Sequence, residues 1–244
     1  LIDPFVFKPV IIMDKTIKQF SLYRSGKHYN NAFSFQFNIS SEKLNVKEVL
    51  HTKETLLYQE LKLSSKTNFI HGRWAVKYII QKVFNISMTD VLINKGIFGQ
   101  PILCHPDLIN WECSISHSKS MVYALVFPKA HPMAIDIEDN NHNFQDITKN
   151  QFTYNELSIG KTYLSDNVHL QLWIAKEALS KCLQTGLTSP LKIMEIDKIS
   201  ICNDYNIFTF KNFTQYKALI FINNNTFWCI CLPLNTNVVI SNYI

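Results

Sequence analysis

The chain has 244 residues, 47% of them hydrophobic and 18% charged, with a formal net charge of +5. That length and apolar content suit one large or two small packed domains and exclude a disordered chain. Only six glycines occur, with no GxGxxG and no GxxxxGK[ST], so a glycine-rich phosphate loop is excluded. The modest positive charge is scattered and lacks the basic–aromatic stripe of a nucleic-acid platform.

In chain order, a strand is expected around Phe5–Met13 and another around Ala32–Ile39, where Phe33, Phe35 and Phe37 fall on one face. A helix is predicted over Lys66–Phe84, with Phe69, Ile70, Trp74, Val76, Ile79, Ile80 and Val83 as a broad apolar stripe. Glu112–Ser116 reads as a short strand entering a turn at His117. Two apolar runs, Met121–Phe127 and Met133–Ile137, read as buried strands. Two prolines, Pro128 and Pro132, separate them and divide the chain into halves 1–129 and 130–244. Helices are predicted at Tyr154–Tyr163 and Val168–Leu183, the second stopped by Gly186. The tail reads as an antiparallel meander over Ile193–Cys202, Ile207–Lys211, Tyr216–Ile222 and Thr226–Leu232, with a hairpin turn at Asn223-Asn224-Asn225. The expected class is α+β, two mixed halves with a ligand cleft between them.

The six cysteines form no CxxC pair. Cys229 and Cys231 alternate on one strand face, which suits buried thiols in a reducing compartment better than a zinc site. No signal peptide and no run of 18 or more apolar residues is read, so a cytoplasmic protein with no membrane span is expected. The chain begins at Leu1 and not Met, so its true N-terminus is expected to lie upstream.

The chemistry concentrates in three segments. Asp136 and Glu138 alternate on a strand, so their carboxylates share a face. Two adjacent carboxylates repel unless neutralised, and Mg²⁺ prefers carboxylate oxygens, water and substrate phosphates. Trp173, Glu177 and Lys181 fall at i, i+4 and i+8 on the predicted helix and form one stripe. Glu177 can complete a three-carboxylate metal site, and Lys181 can meet a phosphate oxygen. Each segment alone reads as well as solvated acids or a surface Glu–Lys pair; together they favour an active site. Ser116-His117-Ser118 is poorly placed for a Ser–His dyad, because adjacent strand residues face opposite ways. Phosphate binding suits it better.

These segments resemble the Sfp-type 4′-phosphopantetheinyl transferases, whose motifs run G-x-P, S-x-S-H-S, (G)-I-D-I-E and W-x-x-K-E-A-x-x-K. Here they are Gly99-Gln100-Pro101, Ser114–Ser118, Ala134–Glu138 and Trp173–Lys181, in the same order. Phe69-Ile70-His71-Gly72-Arg73 is similar to the family's F-x-x-G-R segment, and Phe152–Leu157 to its F-x-x-x-E-L element. The resemblance spans residues 66–181. Gln100 stands where the family often has lysine and is expected to weaken one phosphate or substrate contact. Ala134 replaces the common glycine.

The resemblance implies two similar halves related by pseudo-twofold symmetry with coenzyme A in the cleft. It implies Mg²⁺-dependent transfer of phosphopantetheine from coenzyme A to a serine of an apo acyl or peptidyl carrier protein, with release of 3′,5′-ADP. It further implies that Asp136, Glu138 and Glu177 hold Mg²⁺, that Lys181 and Ser116 contact the pyrophosphate, and that His117 and Arg73, with Lys66, neutralise the 3′-phosphate. The general base would be Glu177 or a metal-bound water positioned by Glu138, with Glu156 a weaker candidate. An acidic carrier is the expected partner of this positively charged chain, with no nucleic acid, and the protein is expected to act as a monomer. The rival readings are a non-catalytic coenzyme A-binding relative and a metal-dependent phosphohydrolase.

Overall fold

In a computed structural model, residues 16–140, 148, 150–223 and 226–243 are described. The strand expected at Phe5–Met13 and the turn residues Asn224 and Asn225 lie outside them. The described chain forms two compact units, one of residues 16–130 with 237–243 and one of residues 131–236. Both mix helix and sheet, as the composition and periodicity indicate.

The first unit opens on a hairpin, β1 (Lys18–Arg24) and β2 (Lys27–Asn38), joined through Ser25 and Gly26. Both turn residues take positive φ, 49° and 76°, the conformation of a tight hairpin turn that matches strand twist. Helices α1 (Val46–Val49), α2 (Thr52–Glu60) and α3 (Leu63–Phe84) follow. Then come a two-stranded hairpin, β3 (Leu92–Lys95) with β4 (Pro101–Cys104), and the strands β5 (Trp111–His117) and β6 (Met121–Pro128). The last strand of the chain, β12 (Thr236–Asn242), returns to complete a five-stranded sheet in the order β12-β1-β2-β6-β5. The 22-residue α3 lays Trp74, Ala75, Val76, Ile79 and Ile80 onto that sheet against Phe33, Phe35, Phe37, Val122 and Ala124. Burying each such large apolar side chain contributes about 1.5–3 kcal/mol.

The second unit begins with β7 (Ala134–Asp139), then α4 (Tyr154–Tyr163) and α5 (Val168–Cys182). The meander β8 (Ile196–Ile201), β9 (Asn206–Phe210), β10 (Tyr216–Asn223) and β11 (Thr226–Pro233) follows. The antiparallel sheet has the order β7-β11-β10-β9-β8, which leaves β7 on an edge. Helix α5 packs on it through Leu172, Ile174, Ala175, Ala178 and Leu179. The helix ends at Cys182, and the left-handed residue that stops it is Gln184 at φ 56°, two positions before the Gly186 expected in that role. The N–H of Thr185 can then turn back to the Ser180 carbonyl, 3.0 Å away.

Both units contain the same buried polar device. In the first, Glu54 caps α2 by accepting from the His51 N–H at 2.9 Å, accepts from the Ile93 N–H at 2.9 Å, and binds the fully buried Lys77 of α3. In the second, Glu156 caps α4 by accepting from the Thr153 N–H at 2.7 Å, accepts from the Ile196 N–H at 2.9 Å, and binds the fully buried Lys176 of α5 at 2.6 Å. Each lysine also donates to a backbone carbonyl, that of Val49 at the end of α1 at 3.0 Å or that of Gln151 at 3.2 Å. Burial lowers the pKa of both lysines, and the facing glutamates pull it back up. Each cluster ties a helix cap, a strand and the long helix together, because an unmatched charge there would be costly. The helices carry the same pattern, W-x-x-K-x-x-x-x-K, at Trp74–Lys82 and Trp173–Lys181.

Candidate active site

The strand register sets the acids in place. Cys229 pairs with Asp136 and Phe227 with Glu138 across β11 and β7, and Phe227 and Cys229 belong to the core beneath α5. Asp136 and Glu138 therefore lie on the helix-covered face. Ile135 and Ile137 are buried as well, but on the opposite face of the sheet, not in the α5 core where apolar side chains would be expected. Helix α5 brings Glu177 to the same place. One ligating oxygen from each of Asp136, Glu138 and Glu177 lies within 4.8 Å of the others. Lys181, one turn on, places Nζ 2.6 Å from Asp136 Oδ1 and 3.8 Å from Glu177 Oε1.

Three carboxylates share one lysine, and the imbalance is felt. Burial, reinforced by Asp136 and Glu177, pushes the Glu138 carboxyl up to about 8, against the pull of Lys181. Burial and Asp136 push Glu177 up to about 7, while Lys181 and the Trp173 indole work the other way. Burial draws Lys181 down, but Asp136, Glu177 and Glu138 outweigh it and the ammonium is held above its ordinary range. The cluster thus lacks positive charge. Hard oxygen donors at this spacing fit a divalent cation such as Mg²⁺, and a second positive group would relieve the repulsion.

The remaining expected site residues lie in the first unit. Arg73 packs its guanidinium 3.4 Å from the Phe69 ring centre and holds Nε 3.2 Å from Glu54, so part of its charge is already engaged. His117 ends β5 and donates from Nε2 to the Asn68 carbonyl at 2.9 Å. Ser116 is buried beside it. Lys66, in the first turns of α3, sits 5.1 Å over the Tyr58 ring. Glu156, the weaker candidate base, is excluded from proton transfer, since it is fully buried and spent on two backbone N–H groups and Lys176.

Two residues quoted in the motifs have structural roles that the sequence did not give. Gly72 lets α3 approach β5, because a Cβ there would lie 2.8 Å from His117 Nε2 and 3.0 Å from an Ile115 methyl. The glycine of the F-x-x-G-R segment is therefore what makes room for the histidine. Gln100 accepts a hydrogen bond at Oε1 from the Phe98 N–H at 3.1 Å, a task lysine has no acceptor for. Among the described residues no helix is long and apolar enough to cross a membrane.

Residues 132–231 match the family described as the 4′-phosphopantetheinyl transferase superfamily. The match contains Asp136, Glu138, Glu177 and Lys181, so the recognition made from motifs holds for this segment. It supports a phosphopantetheinyl transferase domain in general and does not single out the Sfp type. No curated protein matches the chain.

Proposed function

We propose that this protein transfers the 4′-phosphopantetheine group of coenzyme A to a serine of an apo acyl or peptidyl carrier protein, with Mg²⁺, and releases 3′,5′-ADP. The observation that carries the reading is the convergence of Asp136, Glu138, Glu177 and Lys181 within the segment that matches the transferase superfamily. The buried glutamate–lysine device repeated in both units supports the reading of two similar halves.

Asp136, Glu138 and Glu177 would hold the Mg²⁺, which when bound supplies positive charge against the pyrophosphate and the charge that builds on the leaving group. Lys181, anchored by Asp136, offers the same pyrophosphate a fixed ammonium. In the reaction the serine oxygen bonds to the β-phosphorus of coenzyme A. The bond from that phosphorus to the bridging oxygen breaks, and the electron pair leaves with 3′,5′-ADP. Glu177, or a water positioned by Glu138, takes the serine proton. Ser116 contributes to the pyrophosphate site, while Lys66, Arg73 and His117 offer the positive and N–H groups for the 3′-phosphate. The carrier is acidic and approaches by electrostatic steering. The enzyme acts as a monomer. Six cysteines without a disulfide suit a cytoplasmic setting.

Intact-mass analysis of apo carriers incubated with the protein, coenzyme A and Mg²⁺ tests the proposal. A metal-dependent gain of one phosphopantetheine, absent with Glu177→Ala, is expected. Coenzyme A binding with no gain on any carrier class would establish a binding protein instead, and ADP or phosphate release without carrier a hydrolase.

A further inference from the structure

We propose that the free edge of strand β8, with the groove it forms against α4, docks a short extended segment of a partner protein, a role apart from the transfer proposed above. In the second sheet β8 is the outermost strand, and among the described residues it pairs on one side only, with β9. An unpaired strand edge presents a row of N–H and C=O groups that another extended chain can complete.

The sequence opens only part of that edge. The Ile196 N–H is already taken by Glu156 at 2.9 Å. The register slips between Ile196 and Lys198, a bulge that takes Asp197 out of the ladder. Asp197 and Lys198 are both exposed. A bulge and charged side chains keep an edge from pairing along its length with a like edge. Beyond them the register is regular, Ile199 with Phe208, Ser200 with Ile207 and Ile201 with Asn206, and residues 199–201 carry no charge.

Beside this open stretch lies a groove of about 540 Å³, lined by Ile159 and Tyr163 of α4 and by residues 197–201. Binding clefts span about 300–1,000 Å³. Ile199 and Ile201 project to the same face, since strand side chains alternate. Ile199 belongs to the core beneath the helices, whereas Ile201 is 54% exposed, as is Tyr163 in the same groove. The apolar wall thus runs from the core out to solvent. Glu156 caps α4 and binds the first N–H of β8, so helix and strand are fixed against each other before anything docks.

The occupant follows from these groups. Unpaired backbone N–H and C=O groups select an extended chain, and alternation turns every second side chain of that chain toward Ile201 and Tyr163. The charged side chains of the groove are one acid and one base, Asp197 and Lys198, so they favour an uncharged segment with apolar residues at alternate positions. A second copy would bring the same bulge and the same charges to the edge, and fits it less well.

The test uses an array of short, capped, uncharged peptides with apolar residues at alternate positions, together with N-methylated versions that lack backbone donors. Affinity is read by fluorescence polarisation, the site by hydrogen exchange, oligomeric state by sedimentation and folding by thermal melt. Peptides of the array should bind the whole protein and slow exchange within residues 197–201. Ile201→Lys and Tyr163→Ala, both at exposed positions, should each weaken binding about tenfold with the melting temperature unchanged, and N-methylation should weaken it at least as much. No binding by any peptide at about 1 mM, or slowed exchange elsewhere only, would overturn the proposal. Equal binding of the N-methylated peptides would show an apolar cleft without strand pairing, and overturn it too. A wild-type dimer that Ile201→Lys converts to monomer would assign the edge to a second copy instead. None of these readouts uses the transfer reaction, so failure here leaves that reading intact.

Discussion

Binding of Mg²⁺ to this protein should release protons, in an amount the geometry of the acid cluster determines. Without metal, the Glu138 and Glu177 carboxyls sit near 8 and near 7 because burial and Asp136 disfavour their ionised forms. With those values the pair together carries about 1.7 protons at pH 6.5 and about 0.3 at pH 8.5, treating the two as macroscopic steps of one site. A cation held by both carboxylates must displace them. Apparent Mg²⁺ affinity should therefore strengthen about 100-fold between pH 6.5 and 8.5, whereas ordinary glutamates, near 4.5, would give no change over that range. Stability follows the same linkage. The folded-state values lie above the unfolded ones, so the stabilisation from the protonated forms is complete below about 4.5 and is lost as pH rises through 7 and 8. Metal-free protein should melt lower at pH 8.5 than at pH 6.5 on account of these groups, and Mg²⁺ should raise the melting temperature more at the higher pH. Titration calorimetry in two buffers of different ionisation heat measures the proton count, and thermal melts with and without Mg²⁺ measure the rest. A Mg²⁺ affinity that is flat from pH 6.5 to 8.5, with no buffer-dependent heat, would refute the raised carboxyl values, and no Mg²⁺ binding at either pH would refute the three-carboxylate assignment.

Four further outcomes are expected. Glu138→Gln should raise the metal-free melting temperature at pH 8.5 but not at pH 6.5, where the carboxyl is already protonated, while weakening Mg²⁺ binding at both; a loss of stability at both pH values would show that the acid is a structural contact. Gly72→Ala forces a methyl to within 3 Å of the His117 ring and should cost about 1–3 kcal/mol in urea unfolding while weakening coenzyme A, and an unchanged stability would mean that α3 and β5 are less tightly apposed. Lys176→Met strands Glu156 in the core and should cost about 3–5 kcal/mol by the same measurement; a neutral result would deny the buried pair its structural role. Carrier KM should rise with added salt if the positive charge of the chain steers an acidic partner, and a flat response would discard that idea.

How much of this was legible in the sequence depends on how far apart the partners lie. Helix α4 was read to its bounds because its start is a local signal, Thr153 and Glu156 in a reciprocal cap. The acid cluster was legible because strand and helix periodicity alone put Asp136 with Glu138 and Glu177 with Lys181. Only the meeting of the two pairs needed the fold. Strand β12 was not read, since its neighbour β1 lies near the other end of the described chain and no local pattern announces such a pairing. Strand β1, largely polar, was not read either, nor was the Ser25-Gly26 turn that follows it. The roles of Gly72 and Gln100 were hidden for another reason. One acts by what its missing Cβ leaves room for, and the other by a backbone N–H that motif matching does not see.

The two W-x-x-K-x-x-x-x-K helices show why only one unit carries the acids. After the buried lysine, α3 has Tyr78 where α5 has Glu177. Tyr78 faces Phe35, with ring centres 4.6 Å apart, and Phe35 stacks on Phe37; Glu177 instead faces Asp136 and Glu138. The pattern's last lysine follows suit, since Lys82 lies 5.7 Å over the Tyr78 ring and Lys181 reaches Asp136. Aromatic pairs at such positions add about 0.5–1.5 kcal/mol beyond their burial, while clustered carboxylates at the same positions oppose folding until a cation arrives. One frame thus supports both fillings, the first spent on stability and the second on charge. The frame's own glutamate–lysine pairs, Glu54 with Lys77 and Glu156 with Lys176, are what hold the long helix at a fixed height over each sheet while the residues facing it change. On this argument the acid site is tolerated because its supports do not depend on it. Removing the acids should then cost the second unit little, whereas removing Lys176 should cost it about 3–5 kcal/mol.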